Sequence, residues 1–234
     1  MDGGNLPEKE KIIASPDGVR FPVDKAILGP RFRRSIRSGG YEVKEATAIR
    51  QLVRKGDRVL EIGGGVGYIS SLLAKDGRAA EIRSFEANPR LVPYIRRVHE
   101  LNGFTTCSVT NALLADGPGP DLPFHIRTNF LASSMDLDAG ESNIVETAMV
   151  PQQDIHALIA EFQPTFLVCD IEGAEAHLLP AADWSGLRVA VVELHPQWIG
   201  QAGVQAVFDG FHRAGLTYFA KTSHAKVVSF KRGF

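Results

Sequence analysis

The segment Arg58-Val-Leu-Glu-Ile-Gly-Gly-Gly-Val-Gly-Tyr-Ile-Ser70 carries the clearest structural signal in the chain. Its opening residues are apolar except for Glu61, which is typical of a strand buried in a sheet. Glycines follow at alternate positions, Gly63, Gly65 and Gly67, and apolar residues then recur at helical spacing. Glycine has no Cβ and tolerates positive φ, so a ligand can approach such a turn closely. The pattern predicts a strand, a tight turn and a helix whose N-terminus faces a ligand.

The glycine spacing separates two kinds of nucleotide-binding turn. The dinucleotide pattern G-x-G-x-x-G would place its third glycine at position 68. That position is Tyr68, and the third glycine is Gly67. The turn therefore resembles motif I of class I S-adenosylmethionine (SAM) methyltransferases. Glu61 agrees with this, because a carboxylate would repel a pyrophosphate but suit an ammonium or sulfonium group. A glycine turn without any ligand is the alternative.

The composition limits the class of protein. A chain of 234 residues with 44% hydrophobic content suits one α/β domain. A net charge of −1 gives no long-range attraction to nucleic acid or to an anionic membrane, and no apolar run reaches the roughly 20 residues of a membrane span. The first residues lack the features of a secretory signal, and Cys107 and Cys169 suit reduced core thiols. We predict a cytoplasmic protein without a membrane span, and we expect no nucleic-acid partner. The sequence leaves its oligomeric state open, a homo-oligomer included.

Apolar periodicity predicts alternating helices and strands around the glycine turn. A helix is expected at 43–54, before the first strand. Further strands are expected at 81–86, 105–109, 166–170 and 189–194, and two short strands at 217–221 and 226–230 are expected to pair as an antiparallel hairpin. This order predicts an α/β fold with a doubly wound, mostly parallel, seven-stranded sheet of the Rossmann-like type.

Two regions fall outside this regular pattern. Residues 1–40 are predicted to form an N-terminal segment, and 41–234 the main domain. Within the former, a short strand is expected at 18–23. The segment 29–42 carries four arginines. We interpret it either as a solvated basic loop or as a lid that could hold an anionic or sugar-bearing substrate.

The second irregular region is an insertion at about 116–150. Its first residues are rich in proline and glycine and predict a loop. Weakly alternating runs at 124–130 and 143–150 predict a small β-hairpin. The polar residues at 132–142 would connect its two strands.

Polar residues end several of the predicted strands, where ligands bind in doubly wound sheets. Glu86 lies 23 residues after Gly63. From there a carboxylate can accept hydrogen bonds from both ribose hydroxyls of an adenosine, although NAD enzymes place an acid similarly. Asn111 follows the third strand, where it can pair with an adenine edge or simply form a turn.

A second motif, Asp170-Ile-Glu-Gly-Ala-Glu175, makes the resemblance more specific. It resembles the FkbM-type family of SAM-dependent methyltransferases, and the likeness covers about residues 38–196. The family acts mostly on hydroxyl groups of sugars, glycolipids and polyketide-type natural products, which implies O-methylation of a small-molecule or glycan acceptor. Four further motifs are similar to those of the family: Glu61-Ile-Gly-Gly-Gly-Val-Gly67, Phe85-Glu-Ala-Asn-Pro89, Tyr41-Glu42 and Val192-Glu-Leu-His-Pro196.

The resemblance also implies which residues hold SAM. Tyr41 would close over the methionine end of the cofactor, and Asp170 would face its ammonium group or the substrate. The full implied set of cofactor-binding residues is Tyr41, Glu61, Gly63, Gly64, Gly65, Glu86, Ala87, Asn88, Asn111, Ala112 and Asp170.

Methyl transfer to an alcohol requires positioning and a group that takes up the hydroxyl proton. We predict that His195 is this general base, because imidazole titrates near neutral pH, and that Asp170 assists it. A structural histidine placed before Pro196 is the alternative. Asp170, Glu172 and Glu193 could together hold Mg²⁺. Acids such as Glu172 are favoured near a helix start in any case, so the site is predicted to work without a metal.

Other functions share this fold and stay as alternatives. An N-methyltransferase would use the same cofactor. The lack of an Asn/Asp-Pro-Pro-Tyr motif argues against a nucleic-acid methyltransferase, and the position of Gly67 argues against an NAD-linked oxidoreductase. A non-catalytic scaffold would not need Glu61, Glu86 and Asp170 together.

Overall fold

The structure is a computed structural model that describes residues 10–127 and 144–233. A central sheet lies between two layers of helices. The strands in these ranges are β1 (Ile12–Ala14), β2 (Arg20–Pro22), β3 (Arg58–Ile62), β4 (Glu81–Glu86), β5 (Cys107–Asn111), β6 (Leu113–Ala115), β7 (Leu122–Arg127), β8 (Ile144–Val150), β9 (Gln152–Asp154), β10 (Phe166–Cys169), β11 (Val189–Glu193), β12 (Thr217–Tyr218) and β13 (Val227–Lys231). The α-helices are α1 (Pro30–Ser38), α2 (Val43–Leu52), α3 (Tyr68–Asp76), α4 (Leu91–Asn102), α5 (Ile155–Phe162), α6 (Glu175–Ala181) and α7 (Pro196–Arg213).

The central sheet has seven strands in the order β12-β13-β11-β10-β3-β4-β5. The strands from β11 to β5 run parallel, whereas β13 is antiparallel to both β11 and β12. The predicted α/β fold, with its mostly parallel sheet and antiparallel C-terminal hairpin, is confirmed. The order reverses between β3 and β10, and a ligand crevice is expected outside the C-terminal ends of strands at such a point.

Alternate side chains of the parallel strands fill two separate cores. Val59 and Val168 belong to the core under α2, α3 and α4, whereas Leu60 and Leu167 belong to the core under α5, α6 and α7. These strands are apolar on both faces because helices cover both. Strand alternation places Glu61 on the same face as Val59. Within the described ranges, none of the helices combines the length and the apolar character that a membrane crossing requires.

The N-terminal region packs on the first of these cores. β1 and β2 form an antiparallel hairpin, and Phe21 and Ile36 are buried in the same cluster as Val59. The arginine-rich segment is helix α1, so the prediction of a loop is wrong. Phe32 and Ile36 are four residues apart and share the face that packs inward, while Gly39 ends the helix with a φ of +73°.

The insertion contains the predicted hairpin, since β7 pairs antiparallel with β8. Its predicted ends at 128–130 and 143, and the polar connection at 132–142, lie outside the described residues. Next to the hairpin, β6 pairs in parallel with β9. The sequence analysis does not predict these two strands, because three residues are too few to show an apolar alternation.

Several predicted strand boundaries differ from the structure by one to three residues, and two of the differences have a clear cause. β5 ends at Asn111 rather than Val109, because Asn111 pairs with Glu86 at the end of β4. β12 stops at Tyr218, since a short 3-10 helix at Ala220–Thr222 follows it. The first of these differences matters for the site, because it aligns Asn111 with Glu86.

Candidate active site

The glycine turn between β3 and α3 is packed tightly by neighbouring strands. Gly63 and Gly65 have φ values of +90° and +54°, which glycine adopts without steric cost. A Cβ atom at position 63 would lie 1.8 Å from the backbone oxygen of Asp170, and one at Gly64 would lie 2.8 Å from Oγ of Ser84. The protein's own packing therefore requires glycine here, a reason that the sequence pattern alone does not reveal.

Glu86 closes the turn from the adjacent strand β4. Its Oε2 accepts a hydrogen bond from the N–H of Gly65 at 2.9 Å, and its Oε1 accepts one from the N–H of Asn88 at 2.7 Å. The residue is 7% exposed, and this burial raises the pKa of Glu86 to about 7. The expected ribose acceptor thus lies directly against the glycine turn.

Two asparagines lie beside Glu86. Asn111 donates through Nδ2 to the backbone oxygens of Glu86 and Ala87, at 2.8 Å and 3.0 Å. Its side-chain oxygen is therefore the atom that can pair with an adenine amino group. Asn88 is buried and accepts at Oδ1 from the N–H of Arg90 at 3.0 Å. Its Nδ2 has no hydrogen-bond partner among the described residues, which is costly unless a ligand or water supplies an acceptor.

Ala87 and Ala112 are packing residues of this region. Ala87 contacts the small apolar cluster of the inserted hairpin, which includes Phe124 and Val150. Ala112 is buried in the core under α5, α6 and α7, and its N–H donates to the backbone oxygen of Glu86 at 3.3 Å. Both therefore tie the end of β4 to its neighbours.

Glu61 is buried inside the protein. It pairs with Ser84 in the register of β3 and β4, accepts a hydrogen bond from the Ser84 hydroxyl, and is 1% exposed. Burial raises the pKa of Glu61 to about 7. The structure thus brings its carboxylate against Ser84 beneath the turn, and its expected contact with a cationic ligand stays a prediction.

Tyr41 also lies against the turn. Its ring lies 4.5 Å from that of Phe32 and 5.8 Å from that of Tyr68, between ring centroids. Its hydroxyl is 3.2 Å from the position of a Cβ on Gly65. Glu42, which follows it, adopts an unusual φ of +45° for a residue with a side chain. Burial raises the pKa of Tyr41, and Glu42 raises it further through its charge and a hydrogen bond.

A second polar group lies at the ends of β10 and β11, around His195. The backbone N–H of His195 donates to Oε1 of Glu175 at 2.8 Å, and its Nδ1 is 3.2 Å from the same oxygen. Oε2 of Glu175 accepts from the N–H of Gly173 at 2.7 Å. On the other side of the ring, Nε2 lies 3.6 Å from Oδ1 of Asp170 and 3.5 Å from Oε2 of Glu172. Glu175 thus orients the imidazole toward two further carboxylates.

The acidic surroundings alter the proton affinities of this group. Burial raises the pKa of Asp170, and the charge of Glu193 raises it further, while His195 opposes both. Burial alone would lower the pKa of His195. The hydrogen bond to Glu175 and the charges of Glu172 and Asp170 outweigh that effect, so the pKa of His195 is raised. The group can therefore hold a proton near neutral pH and exchange it with a neighbouring hydroxyl.

A metal ion is the alternative use of the same group. Oxygen and nitrogen atoms of Asp170, Glu193 and His195 all lie within 4.8 Å of one another. This set differs from the one expected from the sequence, because His195 takes the place of Glu172. An imidazole ligand would suit a transition metal better than Mg²⁺.

Two residues that the sequence analysis did not assign support the site. Glu175 is fully buried and holds His195, and Glu42 hydrogen-bonds Tyr41. Both belong to motifs noted above, but nothing in the sequence distinguishes Glu175 from an acid that merely starts a helix. Its partner is 20 residues away and follows a different strand.

The structure brings the two polar groups together along one edge of the sheet. Glu86 and Asn111 stand at the ends of β4 and β5, and Asp170 and His195 follow β10 and β11. Gly63 joins the two groups through its contact with Asp170. Glu61, at the end of β3, is buried against Ser84.

No family model matches the chain, and no curated protein does. The FkbM-type resemblance therefore rests on its motifs alone.

Solved structures share the fold. Trm5b from Pyrococcus abyssi is similar with a TM-score of 0.52 at 14% identity, over 98% of this chain and 57% of that chain. The present chain thus spans little more than half the length of Trm5b. TYW2 from M. jannaschii in complex with AdoMet has a TM-score of 0.49 at 14% identity, over 97% of this chain and 88% of that one. A TehB-like SAM-dependent methyltransferase from Corynebacterium glutamicum has a TM-score of 0.49 at 15% identity, over 87% and 95%. At these identities the likeness is one of fold, the Rossmann-like α/β fold of methyltransferase structures.

Proposed function

We propose that this chain is a SAM-dependent methyltransferase that methylates a hydroxyl group of a small molecule, of the sugar, glycolipid or natural-product class. One observation carries the proposal. Gly63 of the glycine turn contacts Asp170 of the polar group around His195. The turn, with Glu86 against it, and this polar group therefore meet at one point. A ligand held at the turn would therefore have this second group as its neighbour along the sheet edge.

The residues at the turn fit SAM. Glu86 and the side-chain oxygen of Asn111 offer acceptors for the hydroxyl and amino groups of an adenosine. Asn88 Nδ2 and Asp170 Oδ1 are buried atoms without a hydrogen-bond partner among the described residues. Asn88 Nδ2 needs an acceptor and Asp170 Oδ1 needs a donor, and SAM carries groups of both kinds. Asp170 suits the ammonium group, and the Tyr41 hydroxyl lies close to Gly65 of the turn.

SAM supplies an electrophilic methyl group on sulfur and leaves as a neutral thioether. The chain must then hold the acceptor hydroxyl in line and take up its proton as the O–H bond breaks and the O–CH₃ bond forms. With its own proton on Nδ1 toward Glu175, His195 has a basic Nε2 between Asp170 and Glu172. We assign the hydroxyl proton to this nitrogen. Asp170 and Glu172 have side chains 34% exposed, so they can reach the hydroxyl from the solvent side.

The test separates SAM from other nucleotides before any acceptor is known. Calorimetry with SAM, with its demethylated product and with NAD should show binding of the first two only. An acceptor screen by mass spectrometry with labelled SAM then identifies the product. Protein indifferent to both SAM and its demethylated product would leave no basis for the proposal, whereas binding of NAD would favour an oxidoreductase. Labelled nucleic acid or a labelled amine would favour the corresponding methyltransferase.

A further inference from the structure

One face of helix α1 carries a row of arginines. Arg33, Arg34 and Arg37 follow Pro30 by three, four and seven residues, which places all four on one side of the helix. Together with Ser38 they line a hollow of about 450 Å³. We call Arg33, Arg34 and Arg37 the arginine row.

The arginine row has no carboxylate partner within the described residues. Elsewhere in those residues, Arg50, Arg83 and Arg188 each form an ion pair with an Asp or Glu. Helix α1 has no acid in its first turn and a sequence, Pro-Arg-Phe-Arg-Arg-Ser-Ile-Arg-Ser, without any acid. Like charges four residues apart repel each other on a helix. An anionic ligand in the hollow would remove that repulsion.

Helix α1 is packed directly against the proposed active site. Its inward face carries Phe32, whose ring centroid lies 4.5 Å from that of Tyr41. Tyr41 in turn places its hydroxyl over the turn, 3.2 Å from the position of a Cβ on Gly65. The arginine row therefore lies on the face of α1 opposite to the one that packs against Tyr41.

We propose that the arginine row is an anion site that binds a phosphate group of a small molecule, on the face of α1 that points away from the glycine turn. Guanidinium groups present paired N–H donors that match two phosphate oxygens at once. The nine residues of α1 span only about 13 Å. With a net charge of −1 the protein has no extended positive field for a nucleic acid, so a small ligand is the occupant that fits.

Inorganic pyrophosphate is a suitable probe, because it needs no knowledge of the rest of the ligand. Calorimetry and ³¹P NMR at low salt should show binding to the wild-type chain. The triple variant R33Q/R34Q/R37Q should bind pyrophosphate at least about tenfold more weakly, since three charged donors are lost. R31Q is the matched control, because Arg31 is an exposed arginine of the same helix outside the hollow. It should bind as the wild type does.

The outcomes distinguish this inference from the proposed function. Loss of pyrophosphate binding with unchanged SAM binding in the triple variant supports the inference. It is overturned if the wild type does not bind pyrophosphate at millimolar concentration, or if R31Q loses as much affinity as the triple variant. An RNA duplex that binds more tightly than pyrophosphate through the same arginines would also overturn it. Failure of SAM to bind the wild type is a separate result, which contradicts the proposed function.

Discussion

Gly63 and Asp170 are in such close contact that a Cβ atom at position 63 would lie 1.8 Å from the backbone oxygen of Asp170. The two residues end neighbouring parallel strands, and the N–H of Asp170 donates to the backbone oxygen of Ile62 at 2.9 Å. The backbone packing therefore holds the glycine turn and the group around His195 in a fixed position relative to each other. A change at either residue is expected to affect both parts of the site.

Gly63→Ala should lower the free energy of unfolding by roughly 3 kcal/mol or more, because the added methyl group meets the Asp170 oxygen at a φ of +90°. Gly77→Ala is the control. Its φ is +74° and no heavy atom lies within 4 Å of its Cβ position, so only backbone strain of about 1 kcal/mol is expected. Urea unfolding measures both variants. Equal losses of stability in the two variants would mean that Asp170 leaves room for a methyl group at position 63.

Glu86 should make SAM binding depend on pH. Burial raises the pKa of Glu86 to about 7, and the ionised carboxylate is the better acceptor for ribose hydroxyls. Affinity should therefore rise between about pH 6 and pH 8, with release of part of a proton, which calorimetry in buffers of different ionisation enthalpy detects. Glu86→Gln should bind SAM about tenfold more weakly at pH 8 and lose this dependence. Glu81→Gln, on the same strand, is the control and should leave both the SAM affinity and its pH dependence unchanged. A SAM affinity independent of pH in the wild type would argue against the role of Glu86.

His195→Ala should abolish turnover while SAM still binds, because His195 is assigned to take up the acceptor proton. Both properties can be measured with the acceptor found in the screen, by product formation and by calorimetry. A variant that turns over at the wild-type rate would remove His195 from this role.

Glu175→Gln tests how His195 is positioned. The hydrogen bond to Glu175 helps to raise the pKa of His195, so its weakening should lower that pKa. A base acts when deprotonated, and the rising limb of kcat/KM against pH should therefore move to lower pH. NMR titration of the imidazole provides a readout without an acceptor. An unchanged pKa in a folded variant would show that Glu175 only supports the backbone.

Glu61 should make the protein less stable as pH rises. Its pKa is about 7 in the folded chain against an ordinary value of 4.5. Between these values the folded protein keeps a proton that the unfolded chain has lost, so stability falls with rising pH, by up to roughly 3 kcal/mol. Glu86 and Asp170, whose pKa values are raised to about 7 and about 8, add to the decline, so Glu61→Gln should remove only part of it. Unfolding measured from pH 5 to pH 8 checks this, and an unaltered slope in the variant would contradict it.

Chelation decides between proton transfer and a metal at the ends of β10 and β11. Activity is expected to survive excess EDTA, because His195 is assigned as a base. Loss of activity that Mn²⁺ restores would instead make Asp170, Glu193 and His195 metal ligands. Glu193→Gln should then abolish the restoration.

The central strands could be predicted because their signals are local. β3 and β10 are apolar on both faces, and a glycine turn or a carboxylate marks where each one ends. Helix α1 was missed because its apolar face consists of only Phe32 and Ile36 among four arginines. Its formation depends on the core against which those two residues pack.

The sequence by itself determined that polar residues gather at one edge of the sheet, since parallel strands bring their C-terminal ends to the same side. Tertiary structure decided what each of them contacts. Glu61 lies inward on Ser84 because strand register pairs the two residues, and Glu175 holds His195 although they follow different strands. Such contacts join residues far apart in the chain, and no local pattern contains the register and packing that create them.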